Sequence, residues 1–458
     1  MNETIAAIAT PAGEGGVCII RISGNQSPAI VAGLFRRADG SPVREFIPQK
    51  VYVGEVRDAE EGEVIDEVLL TFFKAPRSYT GEDVLEISGH GGMFVASRIL
   101  RLVLDQGARL AQPGEFTRRA FLNGRIDLSQ AEAVADLISA ASDKALKSAV
   151  SHLKGNLSKV LNSMYERLLG VTAQLEASID FSEEGLKFQK REENLEIARR
   201  VKTELEKLIS TYRQGKIYRE GLKVAIVGKP NVGKSSLLNT LLQEDRAIVT
   251  PLPGTTRDTL EERACIRDIH INIVDSAGLR ENPEIIEEEG IQRTRTALEQ
   301  ADLTLVLFDR SLPFDKNDDL LIQEVLDKPK LVLFNKSDLP EKLETGKIDS
   351  MACVGEAIHI SVKTLEGVDQ LKDQIYRFVS QGDRTHESVL VTRERHREKL
   401  VQSRDSLSRA CESLENDLSE EFVAVDINLA MEQLGAILGK TFEEDLLDQI
   451  FNTFCIGK

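Results

Sequence analysis

The octapeptide Gly228-Lys229-Pro230-Asn231-Val232-Gly233-Lys234-Ser235 constrains this chain more than any other stretch: a glycine, four residues, then Gly-Lys-Ser. An apolar run, Leu222 to Val227, leads into it, and an apolar helical stretch, Ser236 to Leu242, leads out. Strand, loop and helix in that order is the setting of a phosphate-binding loop, whose backbone N–H groups turn inward around a β-phosphate. Lys234 would reach the β/γ oxygens and the Ser235 hydroxyl would ligate Mg2+, with Asn231, Val232, Gly233 and Ser236 completing the cradle. A plain glycine turn between strand and helix would need neither the lysine nor the serine.

The base is named further along. Asn335-Lys336-Ser337-Asp338 follows a second apolar run, Leu331 to Phe334. A buried carboxylate there can accept from both N1–H and the exocyclic amine of guanine, a donor pair that adenine lacks, so the nucleotide is expected to be GTP. Asp275-Ser276-Ala277-Gly278, after Ile271 to Val274, would supply a carboxylate near Mg2+ and a glycine N–H for the γ-phosphate. Ser361-Val362-Lys363, after Ala357 to Ile360, would form the outer wall of the base pocket. Four motifs in this order describe a doubly wound α/β GTPase domain.

At 458 residues the chain has room for about three domains. Hydrophobic content is 41%, with no apolar run of about 18 residues that would suggest a membrane span. Met1-Asn2-Glu3-Thr4 lacks the basic start of a signal peptide, and the scattered Cys18, Cys265, Cys353, Cys411 and Cys455 suit reduced thiols in a cytoplasm. A net charge of −17 repels RNA on average, so contact with it would need a local basic patch or a partner's surface.

Before the GTPase motifs, short β-rich runs at Thr4 to Ala9, Val17 to Ser23, Tyr52 to Val56, Ile65 to Phe73 and Val84 to Ser88 predict a small α+β domain over residues 1–118. Helices are expected near Pro28 to Arg36 and from Met93 to Asp105. The latter follows Gly89-His90-Gly91-Gly92, which is either an anion site or a tight turn. Over 119–216 the texture turns helical: Ala131, Val134, Leu137, Ile138, Ala141 and Ala145 keep one face. The GTPase domain is assigned to 217–382. Over 383–458 Leu400, Leu407, Cys411, Leu414 and Leu418 resume helical spacing, and Thr441 with Glu444 suggests a capping box for a last helix, Phe442 to Phe451. The expected architecture is multidomain: a small α+β N-terminal domain and a helical domain into which the GTPase is inserted. Two separate helical bundles are the alternative.

That order, together with the terminal Phe454-Cys455-Ile456-Gly457-Lys458, resembles the MnmE (TrmE) family of tRNA modification GTPases across essentially the whole chain. The specific stretches are Ala9-Thr10-Pro11 through Arg21-Ile22-Ser23, Tyr79-Thr80-Gly81-Glu82-Asp83 through Glu86, Pro113-Gly114-Glu115-Phe116-Thr117 and Ala120-Phe121-Leu122-Asn123. The resemblance implies a homodimer through the N-terminal domain that acts with the flavoprotein MnmG, as a heterotetramer, on tRNA. The product would carry an aminomethyl or carboxymethylaminomethyl group on C5 of the wobble uridine, U34. The one-carbon unit would come from a bound 5-formyltetrahydrofolate or related tetrahydrofolate, contacted by Arg21, Glu86, Arg125 and Lys458. Position 125 is often lysine in the family; arginine keeps the charge and changes the donor geometry. Cys455 is either a reactive thiol or a small residue filling a pocket.

Leu279 stands where Ras-type enzymes place a glutamine that orients the attacking water. Within the acidic stretch Arg280 to Gly290, alignment with the family pattern selects Glu287 for that work and leaves Glu281, Glu284, Glu288 and Glu289 as a solvated face. A monovalent cation can stabilise the phosphoryl-transfer transition state in place of an arginine finger. The Asn231 oxygen could ligate K+, and the resemblance implies that Thr250, Leu252 and Thr255 complete its shell, with Pro251, Pro253 and Gly254 lining the same nucleotide-contacting loop. Thr256 would be a second hydroxyl ligand of Mg2+; Arg257 is either a finger or a surface partner of Asp258. The expectation is a K+-stimulated GTP hydrolase of tRNA modification. The alternatives are a regulatory or ribosome-assembly switch of the Era or Der kind and a scaffold that only presents folate. Arg118, Arg119 and Arg125, or Arg393, Arg395 and Arg397, could offer basic patches to tRNA; helical arginines are otherwise simply solvated.

Overall fold

The computed structural model describes residues 3–58, 62–180, 191–244, 262–274, 296–346, 348, 353–380 and 389–458. Contacts divide the chain into two compact units. One comprises Met1–Ala135, His152–Glu166 and Met431–Lys458, the other Asp136–Ser151 and Arg167–Ala430.

The first unit is built on a sheet of β1 (Ile5–Ile8), β2 (Val17–Ser23), β3 (Phe35–Arg37), β4 (Val51–Arg57), β5 (Val64–Phe73), β6 (Val84–His90) and β7 (Arg109–Leu110), in the order β3-β4-β5-β6-β2-β1-β7. All neighbours are antiparallel except β1 and β7. Side chains alternate across the pleat: Tyr52, Val68, Leu70, Leu85, Ile87, Ile20 and Ile22 are buried on one face under α1 (Ser27–Leu34) and α2 (Met93–Asp105). On the other face Val53 pairs with Leu69 and Arg21 with Glu86. The expected first helix stops at Leu34, because Phe35 to Arg37 turn into an edge strand on β4.

The glycines before α2 do not form an anion cradle. Gly89 and His90 belong to β6, and a Cβ on Gly91 would lie 1.9 Å from the Gly15 carbonyl oxygen, so close backbone approach explains that residue. The Asp66 carboxylate, moreover, already accepts from the His90 backbone N–H and ring Nδ1, each at 2.7 Å, and would repel an anion there.

Helix α3 (Glu115–Leu122) and the last helix of the chain, Glu444–Phe451, close this unit through Phe121, Leu128, Leu447, Phe451 and Phe454. That last helix starts at Glu444 with Glu443 at its N-cap and no side-chain cap, so the expected Thr441 and Glu444 box does not form. Phe442, expected as helical, instead packs edge-on against Phe121 at 5.3 Å, holding the preceding chain out of helical register.

The expected continuous face from Ala131 to Ala145 is broken. Helix α4 (Leu128–Ser139) ends and α5 (Asp143–Leu153) begins anew, with the Ser142 hydroxyl accepting from Ala145 N at 3.2 Å, and Ile138 is exposed. Helices α6 (Asn156–Asp180), α7 (Arg191–Ser210) and α8 (Tyr212–Glu220) follow.

Six strands then form the second sheet: β8 (Leu222–Gly228), β9 (Glu262–Ile266), β10 (Ile269–Ile273), β11 (Leu303–Asp309), β12 (Lys330–Asn335) and β13 (Ile358–His359). Their order is β13-β12-β11-β8-β10-β9, parallel throughout except for β9 on β10. Both faces are covered, which is why β8, β11 and β12 read as unbroken apolar runs. Flanking helices include α9 (Lys234–Glu244), α10 (Lys316–Val325) and α11 (Val368–Ser380), and the chain continues into α12 (Glu394–Glu415), α13 (Glu420–Leu438) and the last helix, α14.

Helices α7 and α12, separated by the entire α/β segment, pack side by side, with Arg199 paired to Glu415 at 2.6 Å. The doubly wound domain is therefore inserted into a helical one. Leu400, Leu407, Cys411 and Leu414 are buried along α12, whereas Leu418 lies past its end and is exposed. Where the chain leaves and re-enters the helices, Val391 N donates to the Thr211 hydroxyl at 3.0 Å.

Candidate active site and N-terminal binding site

The phosphate loop leaves β8, whose neighbours β10 and β11 lie on opposite sides. This is the topological switch point at which open α/β sheets bind ligands. Asn231 is exposed and adopts φ 63°, a left-handed conformation that asparagine tolerates better than most residues. Lys234 Nζ donates to the carbonyls of Gly228 and Lys229, each at 2.8 Å, and burial pushes its pKa down. Its ammonium is thus held inside the curl of the loop, and Ser235 stands beside it at the start of α9.

Asn335 is buried and ties three segments together. Its Nδ2 donates to the Val232 carbonyl at 2.7 Å, while its Oδ1 accepts from Val362 N at 3.3 Å. Ser361 Oγ donates to Asp338 Oδ1 at 2.8 Å and accepts from Thr364 N at 3.2 Å. Asp338 is exposed on the turn beyond β12, not buried as expected, and its Oδ2 accepts from no protein donor among the described residues. One carboxylate oxygen is fixed and the other faces outward, an arrangement suited to pairing with two adjacent N–H donors.

Lys336 takes φ 64° and donates to Asp309 Oδ2 at 2.5 Å. Burial pushes the Asp309 carboxyl up, but Lys336 and Ser311 outweigh it and hold it below its ordinary value. Asp309 escaped sequence reasoning; the available signal was its place at the end of the apolar run Leu303 to Phe308, where it pairs in register with Asn335.

Thr250, Pro251, Leu252, Pro253, Gly254, Thr255, Thr256, Arg257, Asp275, Ser276, Ala277, Gly278 and Glu287 lie outside the described residues.

In the first unit, the four N-terminal candidates converge. Arg21 Nε donates to Glu86 Oε1 at 2.8 Å and its Nη1 to the Gly457 carbonyl at 3.1 Å. The guanidinium lies 5.2 Å from the centre of the Tyr79 ring and 5.8 Å from that of Phe116. Its Nη2 has no protein acceptor among the described residues. Burial pushes the Tyr79 phenol up, opposed by its bond to Thr117 and by the nearby charges of Arg21 and Arg125. Burial, then the Arg21 charge, pushes the Lys458 ammonium down, and Glu86 pulls it back.

The tail is held by backbone: Phe116 N donates to the Lys458 carbonyl at 3.1 Å. Gly457 has φ 97°, and a Cβ there would lie 2.4 Å from the Ile8 carbonyl oxygen. Phe454 fills the pocket beneath, and Cys455 is exposed instead of filling it. Tyr79 and Phe116 were legible only as members of distinctive stretches, since nothing in their spacing announces an arginine between two rings.

The candidate tRNA patches are not open arrays of charge. Arg118 pairs with Asp448 at 2.8 Å, Arg393 with Asp136 at 2.6 Å, and Arg397 Nε with Glu394 at 2.7 Å. Arg119 is buried between Glu82 and Glu115 instead of being solvated. No described helix is long and apolar enough to cross a membrane.

The family description "MnmE helical domain" matches residues 128–455 and "GTP-binding protein TrmE N-terminus" matches residues 4–125. The tRNA modification GTPase MnmE of Syntrophus aciditrophicus (strain SB) is 47% identical over 461 residues, covering 100% of both chains. Its namesake from Moorella thermoacetica (strain ATCC 39073 / JCM 9320) is 45% identical over 463 residues, again covering 100% of both. That from Natranaerobius thermophilus (strain ATCC BAA-1301 / DSM 18059 / JW/NM-WN-LF) is 44% identical over 460 residues with the same coverage.

Proposed function

Because the chain belongs to the MnmE family of tRNA modification GTPases over its whole length, we propose that it hydrolyses Mg2+-bound GTP, with K+ stimulation, to drive modification of C5 of the wobble uridine. The observation that carries this reading is the Asn335 amide. It joins the phosphate loop at Val232 to the wall at Val362, and the neighbouring Ser361 holds one oxygen of Asp338. Guanine would be recognised at Asp338, with Ser361, Val362 and Lys363 as the wall and Lys336 beside it.

Lys234 would leave the two carbonyls that hold it and neutralise the β/γ oxygens, an exchange of hydrogen bonds that needs no new rotamer-rich group to be ordered. Ser235 and Thr256 would hold Mg2+, which supplies charge neutralisation at the phosphates, and Asp275 to Gly278 would face the γ-phosphate. Asn231, exposed on its left-handed turn, suits an oxygen ligand for K+, with Thr250, Leu252 and Thr255 as the rest of the shell. Glu287 would orient the water.

The N-terminal cluster would hold a tetrahydrofolate. Glu86 offers a carboxylate oxygen to a pterin's N–H edge, Arg21 an unengaged Nη2, and Arg125 and Lys458 positive charge for an acidic tail. The partner would be the flavoprotein MnmG, the product an aminomethyl or carboxymethylaminomethyl uridine, and the compartment the cytoplasm. A second copy would cover the outer face of the N-terminal sheet, where Val51, Val53 and Leu69 are exposed side by side.

Nucleoside analysis of tRNA from a strain lacking the gene tests this reading. C5-modified wobble uridine should vanish and return with the wild-type chain but not with Lys458→Ala, which should also fail to bind labelled 5-formyltetrahydrofolate. Unchanged wobble uridine in the deletion strain would refute it.

A further inference from the structure

Lys229, the first variable residue of the phosphate loop, does not face solvent. Its Nζ donates to Asp318 Oδ2 at 2.7 Å and to Asp315 Oδ2 at 2.9 Å, and Asp318 is only 2% exposed. The two carboxylates form a reciprocal capping box at the start of α10. Asp315 Oδ1 accepts from the N–H groups of Asn317 and Asp318, and Asp318 Oδ2 accepts from Asp315 N at 3.0 Å. Burial pushes the Lys229 ammonium down, yet the two carboxylates more than offset it and hold its pKa above the usual lysine value. The same residue's carbonyl is one of the two that hold Lys234. A single residue therefore connects the end of one helix to the group that neutralises phosphate.

The consequence follows from stiffness. Gly233 takes a φ of 104° that favours glycine, and Pro230 removes one backbone donor that could have anchored the loop. An ion pair with a buried, twice-engaged carboxylate is the kind that fixes geometry, since its charge cannot be left uncompensated.

We propose that Lys229 is a positioning residue for nucleotide binding, a strut from the capping box of α10 to the phosphate loop that keeps the loop in its phosphate-accepting curl. This rests on the reading of Gly228 to Ser235 as the GTP phosphate cradle. The strut acts on how long nucleotide stays, because its side chain holds the start of α10 through Asp315 and Asp318 while its carbonyl holds Lys234.

The test uses full-length protein and fluorescent N-methylanthraniloyl-GDP with Mg2+, with dissociation followed by stopped flow. Lys229→Met should release the nucleotide about tenfold faster, equivalent to about 1.4 kcal/mol. Lys229→Arg should restore slow release, since a guanidinium can bridge the same carboxylates. Lys229→Met also strands the Asp318 charge, so its thermal midpoint should fall. Adding Asp318→Asn removes that charge and keeps an oxygen for Asp315 N, so the double variant should regain the midpoint while still releasing nucleotide quickly. Wild-type release from Lys229→Met, or release that recovers together with the midpoint in the double variant, would overturn the strut. Failure of the wild-type chain to bind the probe would instead sink the reading of the cradle itself.

Discussion

In the proposed site Asp338 would decide which base is accepted, and its geometry says how. With Oδ1 committed to Ser361, a second acceptor remains for guanine's donor edge. Asp338→Asn replaces one acceptor by a donor, which opposes guanine and suits xanthine, whose carbonyl stands where guanine has an amine. GTP affinity should fall by about 10²-fold or more while xanthosine triphosphate gains, measured by competition against labelled GDP. Equal losses for both nucleotides would mean that the substitution only unravelled the turn. The motif residues at this scale were largely legible in the sequence because phosphate and guanine chemistry restrict residue type and order. What was not legible are long-range partners such as Lys229 with Asp318 and Lys336 with Asp309, whose pairing no periodicity encodes. Asp338 was expected to be buried, yet a turn beyond the strand end leaves it exposed.

At the scale of elements, the sheets follow from alternation and apolar runs, and most strands lie within a residue or two of their expected ends. The errors fall where tertiary contacts override local preference: Ser142 restarts a helix, and Phe442 packs on Phe121 instead of extending one. Helix α3 shows what the sequence concealed most fully. Arg119, 2% exposed, donates to Glu82 and Glu115 and to the Glu3 carbonyl, fixing α3 against the loop that carries Tyr79. Arg119→Met should cost about 1.5–3 kcal/mol, seen in denaturant titration, because it removes charge-assisted bonds to Glu82 and Glu115 although Glu115 keeps Arg109. Burial raises the Glu115 carboxyl, but Arg109, Gln112 N and Arg119 together hold it below its ordinary 4.5. Its stabilisation is therefore complete above about pH 4.5 and is lost as pH falls through the lower folded value. A wild-type stability that stayed flat through that acid range would contradict this assignment, as would an Arg119→Met variant of unaltered stability.

At the scale of the whole molecule, the insertion of an α/β domain into a helical one places its two connections together at Thr211 and Val391. Rearrangement of the nucleotide site can then reach the helices through two adjacent strands of chain. Association would add a further level: if a second copy covers the exposed face holding Val53 and Leu69, Leu69→Glu should convert the proposed dimer to monomer by light scattering while nucleotide affinity is retained. A dimer that survives this change would move the interface elsewhere. K+-stimulated GTP hydrolysis, the activity proposed for this chain, is tested by turnover of GTP by full-length protein in matched K+ and Na+ buffers, with Asn231→Ala and Glu287→Ala in parallel. Turnover should be faster in K+, Asn231→Ala should lose that stimulation, and Glu287→Ala should bind GTP without hydrolysing it. Equal rates in the two salts, or full hydrolysis by Glu287→Ala, would contradict it.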